Sequence, residues 1–141
     1  MIVDASVWIS AILPGDVHHE TSSKWIDQVN AAGGVLVVPA HFPAEVCGAI
    51  SRIQPPGVSL AQMTEFLFHP EFFDIHQISS ELSRLSADVA GSSALRGSDS
   101  VYVALAAQLG LPLVSWDTQQ RVRGAHFCRT LTPTEAMESN E

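Results

Sequence analysis

Short continuous apolar runs recur along this 141-residue chain, separated by stretches in which apolar residues return every three or four positions. Such a change of period reads as strands and helices taking turns. Residues 1–4 suit a short buried strand, and residues 5–11 a helical turn that ends before Pro14 and Gly15. Over residues 18–32, Trp25, Ile26 and Val29 recur at helical spacing until Gly33 and Gly34 stop the pattern. "VLVV" at 35–38 is a second strand, bounded by Pro39. Phe42, Val46, Ala49, Ile50 and Ile53 then form a helical stripe over residues 41–53, with Pro43 tolerated in its first turn and "QPPG" at 54–57 breaking it. Residues 60–69 read as a helix, "FFDIH" at 72–76 as a strand and residues 79–91 as a helix.

The clearest helix covers residues 98–109. Ser98 and Asp99 favour its first turn, and Gly110 followed by Pro112 stops it. Its middle, "VYVALAAQL", is apolar nearly all round, which predicts burial between layers. "PLVS" at 112–115 follows as a strand, residues 118–123 as a helical turn and residues 125–128 as a last strand. Apolar strands alternating with helices predict a short, mostly parallel sheet covered on both faces, a three-layer α/β/α fold. No repeat or linker divides the chain, so residues 1–141 read as one domain, with about 135–141 a frayed polar tail.

Composition narrows the function classes. Apolar residues make up 46% and charged residues 16%, a globular balance. No run approaches the ~20 apolar residues that span a bilayer, and Met1, Ile2 and Val3 lead straight to Asp4 without the basic start of a signal peptide. A cytoplasmic protein away from membranes is expected. Cys47 and Cys128 are too far apart for a C-x-x-C pair, and the six histidines show no zinc spacing. The net charge of −8, with Lys24 the one lysine, runs against the basic footprint usual in nucleic-acid binders, although net charge does not locate the charges.

The chemistry-bearing residues are carboxylates. "IVDA" at 2–5 and "LVSWD" at 113–117 each aim a buried strand at an aspartate. In an open α/β sheet, functional groups gather beyond the carboxyl ends of the strands, where Asp4 and Asp117 fall and where the helix carrying Asp99 begins. Glu45 sits at the border of its helix's apolar stripe, with Ala49 rather than a cation at i+4. Taken singly, each has a plain structural role: Asp4 and Asp117 as helix caps, Asp99 as a partner of the helix dipole, Glu45 as a rim residue. Together, carboxylates ~4 Å apart repel by about 4 kcal/mol per pair at an effective dielectric of 20. A divalent cation relieves that repulsion, and an oxygen-only set favours Mg²⁺ or Mn²⁺ and chemistry on phosphates.

These motifs resemble the PIN domain family, and within it the VapC-type toxins of bacterial toxin–antitoxin pairs. "IVDAS" is similar to the family's opening strand with its Asp and following Ser/Thr, here Asp4 and Ser6. "PAHFPAEVCGAISR" is similar to the helix with the central acid, here Glu45. "SDSVYVALAAQLGLPLVSWD" resembles the Asp-bearing helix followed by a strand ending in Ser/Thr-x-Asp, here Asp99, Ser115 and Asp117. The resemblance spans nearly the whole chain. It implies a Mg²⁺-dependent ribonuclease (Mn²⁺ substituting), with Asp4 and Asp99 as direct ligands and Glu45 and Asp117 completing the cluster. It further implies Ser6 and Ser115 as hydrogen-bonding supports, a homodimer, and inhibition by an antitoxin protein laid across the cleft. Gln119 and Gln120 stand where many relatives carry a further acid or Asn. Arg52, Arg96, Arg121 and Arg123 are the candidates near the cleft to meet an RNA backbone, Arg96 foremost. The alternative reading is a PIN-like module that binds RNA or a partner without cleaving. An aspartyl phosphatase would need an acid at position 6, which is Ser6, and a receiver domain a late lysine, which is missing.

Overall fold

The computed structural model describes residues 1–139. Among these, five strands and eight helices alternate in the order β1 (Ile2–Val3), α1 (Ala5–Ile12), α2 (His19–Ala31), β2 (Leu36–Pro39), α3 (Phe42–Ile53), α4 (Leu60–Leu67), β3 (Phe73–His76), α5 (Ser80–Ser93), α6 (Gly97–Leu109), β4 (Leu113–Val114), α7 (Thr118–Gly124), β5 (Thr130–Leu131) and α8 (Pro133–Glu138). All strand pairs are parallel, in the order β3-β2-β1-β4-β5. The sheet is therefore wholly rather than mostly parallel. Helices α1, α2, α3, α4 and α8 pack among themselves, as do α5, α6 and α7, and the sheet lies between the two groups.

The core follows from the apolar runs. Ile2, Val3, Val38, Leu113 and Val114 are sealed inside the sheet, as a strand covered on both faces requires. Helix α6 lies against β1, β2 and β4 and buries Tyr102, Val103, Ala104, Leu105 and Ala106 on successive positions. Its all-round apolar sequence is thus explained by layers on both sides. Gly110 caps it in the left-handed conformation (φ 63°) that glycine adopts without steric cost. Gly124 lets α7 approach α6, because a Cβ there would meet Val103 Cγ2 at 2.9 Å.

Two expectations near the C-terminus are corrected. The last strand is Thr130–Leu131, pairing with β4, and not residues 125–128. The tail expected to fray from about 135 is instead a helix to Glu138, with Ala136 fully buried; residues 140 and 141 lie outside the described residues. The cause is a capping box. Thr132 Oγ1 accepts from Glu135 N (3.2 Å), Glu135 Oε2 accepts from Thr132 N (2.6 Å), and Pro133 is preset for the first turn. Thr132→Ala removes one side of the box and should cost about 1 kcal/mol of stability. The check is a urea unfolding curve, expected to show a lower midpoint at unchanged slope; an unchanged midpoint would mean that α8 is held by packing alone.

Candidate active site

The pairing of β1 with β4 brings the two strand-end aspartates together. The chain leaves β1 for β2 and β3 on one side and returns to β4 and β5 on the other. Connections diverge beyond the carboxyl ends at such a switch point and leave a crevice. Asp4 follows β1 directly, and its N–H donates to Val114 O (3.0 Å). Helices α3 and α6 begin at the same edge and bring Glu45 and Asp99. All four carboxylates, with Ser6, Arg52 and Arg96, line one cavity of about 410 Å³. Ser115 is fully buried beneath it.

Each carboxylate has its own protein partners. Asp4, 7% exposed, caps α1 by accepting Ser6 N–H at Oδ2 (2.9 Å) and accepts the Gln120 side-chain amide at Oδ1 (3.3 Å). Asp117 caps α7 by accepting Gln120 N–H at Oδ1 (2.9 Å). For these two, the cap and the cluster position hold together. Glu45 Oε2 accepts a short bond from the Tyr102 hydroxyl (2.5 Å) and lies 3.6 Å from His41 Nε2. The carboxylate that the sequence left without a partner therefore has one from α6. Arg96 donates from Nε to Asp99 Oδ2 (2.8 Å) and from Nη2 to Asp117 Oδ2 (3.3 Å).

Ser6 ties the two strand ends to each other, and Ser115 braces the second one. Ser6 Oγ accepts Trp116 N–H (3.1 Å), and Ser115 Oγ accepts Asp117 N–H (2.9 Å). Ser115 thus fixes the backbone of Asp117 rather than its carboxylate. Of the four arginines, Arg121 donates to Ser115 O (2.8 Å) and Arg123 to Ala94 O (2.5 Å), so both are engaged in holding the fold. Arg52 and Arg96 are the two that line the cleft.

Sequence reasoning missed Tyr102 and Gln120. Gln120 is fully buried, and its Nε2 also donates to Asp99 O (3.3 Å), while its Oε1 has no partner. Each residue follows an acid by three positions on a helix, Tyr102 after Asp99 and Gln120 after Asp117, one turn deeper toward the core. That spacing is the signal that could have found them.

The electrostatics record the crowding. Burial raises the Asp4 pKa above its ordinary value, the bonds from Ser6 and Gln120 oppose the rise, and Asp99 adds to it. Burial likewise raises Glu45, against the Tyr102 bond and His41, with Asp4 and Asp99 adding to the rise. The Tyr102 hydroxyl is pushed far up by burial and by the two carboxylates, so it stays protonated and donating.

The donor set is all oxygen and under-neutralised, which fits a hard divalent cation. Among the described residues, however, no three acidic, histidine or cysteine side chains converge into a preassembled metal cage. Tyr102 holds one oxygen of Glu45, and Arg96 holds one each of Asp99 and Asp117. A roomier groove of about 520 Å³ is lined by Trp8, Ile12, Ile26, Met63 and Phe66, and Asp27 is its single carboxylate. It lacks the clustered charge needed for catalysis on phosphates.

A pH prediction follows from the two raised carboxyls. The folded protein binds protons at Asp4 and Glu45 more tightly than the unfolded chain does. Their contribution to stability is therefore greatest in acid and declines as pH rises above the ordinary 3.8 and 4.5 through the raised folded values. Asp4→Asn removes the buried charge and keeps an N-cap side chain. In EDTA its Tm should exceed wild type at neutral pH, with the gain shrinking toward about pH 4. A lower Tm at neutral pH would mean that the bonds from Ser6 and Gln120 outweigh burial.

Comparison with known proteins agrees with this architecture. The structure is similar to Mycobacterium tuberculosis VapC20, a sarcin–ricin-loop-cleaving toxin, at TM-score 0.70 and 16% identity, covering 87% of this chain and 94% of that one. It is also similar to FitAB bound to a DNA fragment, at TM-score 0.71 and 15% identity over 94% of both chains. A third similarity is to FitAcB from Neisseria gonorrhoeae, at TM-score 0.65 and 16% identity over 94% of this chain and 97% of that one. No curated protein sequence matches the chain significantly. The PIN domain family model matches residues 1–125, the region that carries all four carboxylates, and the chain belongs to the PIN domain family.

Proposed function

We propose that this chain is a Mg²⁺-dependent endoribonuclease, the toxin of a VapC-type toxin–antitoxin pair acting in the cytoplasm. The observation that carries the reading is the meeting of Asp4, Glu45, Asp99 and Asp117 in one cleft at the sheet's switch point. Such a concentration of negative charge would impair a module that only binds RNA, so the non-catalytic alternative has less support. The resemblance to toxins of known pairs supports an antitoxin partner laid across the cleft and assembly as a homodimer.

In this reading Asp4 and Asp99 would hold the ion directly, and Glu45 and Asp117 would complete the cluster, as ligands or through water; Mn²⁺ would substitute for Mg²⁺. Such an ion, when bound, would supply positive charge for a phosphate and would make a water more acidic. Glu45 would take the proton of an attacking water at Oε1, since Tyr102 bonds Oε2. In the metal-free protein burial raises its pKa, the direction that favours proton uptake. As the water oxygen bonds to phosphorus, the bond to the leaving ribose oxygen breaks, and solvent protonates the leaving oxygen. Gln120 and Ser6 keep the Asp4 carboxylate in one orientation throughout. Arg52 and Arg96 contact the backbone phosphates.

The test incubates purified, antitoxin-free protein with a mixed RNA pool in Mg²⁺ or in EDTA, beside Asp99→Asn. Cleavage should require the ion and fall by roughly 100-fold or more in the variant, with unchanged circular dichroism. Cleavage by the variant at the wild-type rate would refute the assignment of the site.

A further inference from the structure

We propose that Arg96 is a resident counter-cation of the carboxylate cluster, and that a divalent ion binds by displacing its guanidinium from Asp99 and Asp117. The proposal rests on the metal-site reading above and adds what the metal-free protein does with its charge.

Arg96 precedes α6 in extended backbone (φ −62°, ψ 151°), and its side chain plays no part in capping that helix. The guanidinium instead spans two elements, bonding Asp99 in the first turn of α6 and Asp117 at the start of α7. Both contacts are charge-assisted, and they set a single +1 group against the two half-buried acids at the mouth of the cleft.

Counting oxygens shows the conflict. Asp117 Oδ1 is committed to the Gln120 N–H that starts α7, and Oδ2 to Arg96. Asp99 Oδ2 is also held by Arg96. An ion drawn to both acids meets the Arg96 guanidinium already on them, and the like charges repel, so the helix cap or Arg96 is pressed to yield. The cap is a backbone bond inside the fold, whereas Arg96 is 77% exposed, so its release costs little burial. Among the described residues no metal cage is preassembled, in keeping with Arg96 holding the two acids.

Displacement also gives the reaction an order. A guanidinium bonded to Asp99 and Asp117 has two donors engaged and its charge partly neutralised, whereas one released by the ion stands at the cleft mouth with all five donors open. The ion and the phosphate contact are then coupled through a single side chain.

The test is a Mg²⁺ titration of the full chain labelled with ¹⁵N-arginine, following side-chain Nε–Hε resonances by NMR and the heat of binding by calorimetry. The Arg96 resonance is identified by its loss in Arg96→Gln, or in Arg96→Lys should the first variant fold poorly. The expected result is a shift of that resonance with the same midpoint as the heat, and Mg²⁺ binding roughly three- to tenfold tighter in Arg96→Gln. Saturation with Mg²⁺ while the resonance stays fixed would overturn this proposal alone, because the ion and the guanidinium would then share the carboxylates. Binding by Arg96→Gln but not by wild type would support it in its strongest form. No heat and no shift in any of the proteins would overturn the metal reading along with it.

Discussion

The carboxylate of Asp4 is the constraint around which the rest of the site is arranged. It is nearly sealed from solvent and sits where the parallel pairing of β1 with β4 ends. Burying a charge there is costly unless the surroundings replace the lost hydration. The fold replaces part of it, with Ser6 N–H on one oxygen and the Gln120 amide on the other. It then adds to the cost by bringing three further acids to the same cleft. A protein selected for stability alone would gain by neutral residues in these positions. The arrangement makes sense if a divalent cation belongs to the working state.

Neutral and cationic side chains hold this excess charge in check. Tyr102, kept protonated by its burial, steadies Glu45 from the opposite helical layer, and Gln120 is a donor that cannot itself ionise. Arg96 brings positive charge from the exposed mouth of the cleft. The acidic total composition leaves cations in the cleft: of the six arginines, Arg52 and Arg96 line it, while Arg121 and Arg123 are engaged in holding the fold.

Much of this was legible in the sequence. The apolar runs of β1, β2 and β4 and the all-round apolar α6 gave the layering, because burial on both faces leaves a mark in composition that needs no partner to be seen. The four acids were legible because strand ends and a helix start fix one edge of the sheet. The last elements were harder to read. A two-residue edge strand such as β5 shows no alternation, and a six-residue α8 shows no stripe, although Thr132 and Glu135 carried the capping signature. Tyr102 and Gln120 were missed for a different reason. Their partners, Glu45 and Asp4, lie 57 and 116 residues away, and only the three-dimensional packing of α6 and α7 supplies those contacts.

The most direct test of the central claim is an anomalous difference map from crystals of the protein grown without its antitoxin and soaked in Mn²⁺. The account predicts one strong peak in the cleft within bonding distance of Asp4 and Asp99, with Glu45 and Asp117 completing the shell directly or through water. A soaked crystal with an open cleft and no peak there, or a peak bound elsewhere in the molecule, would contradict it.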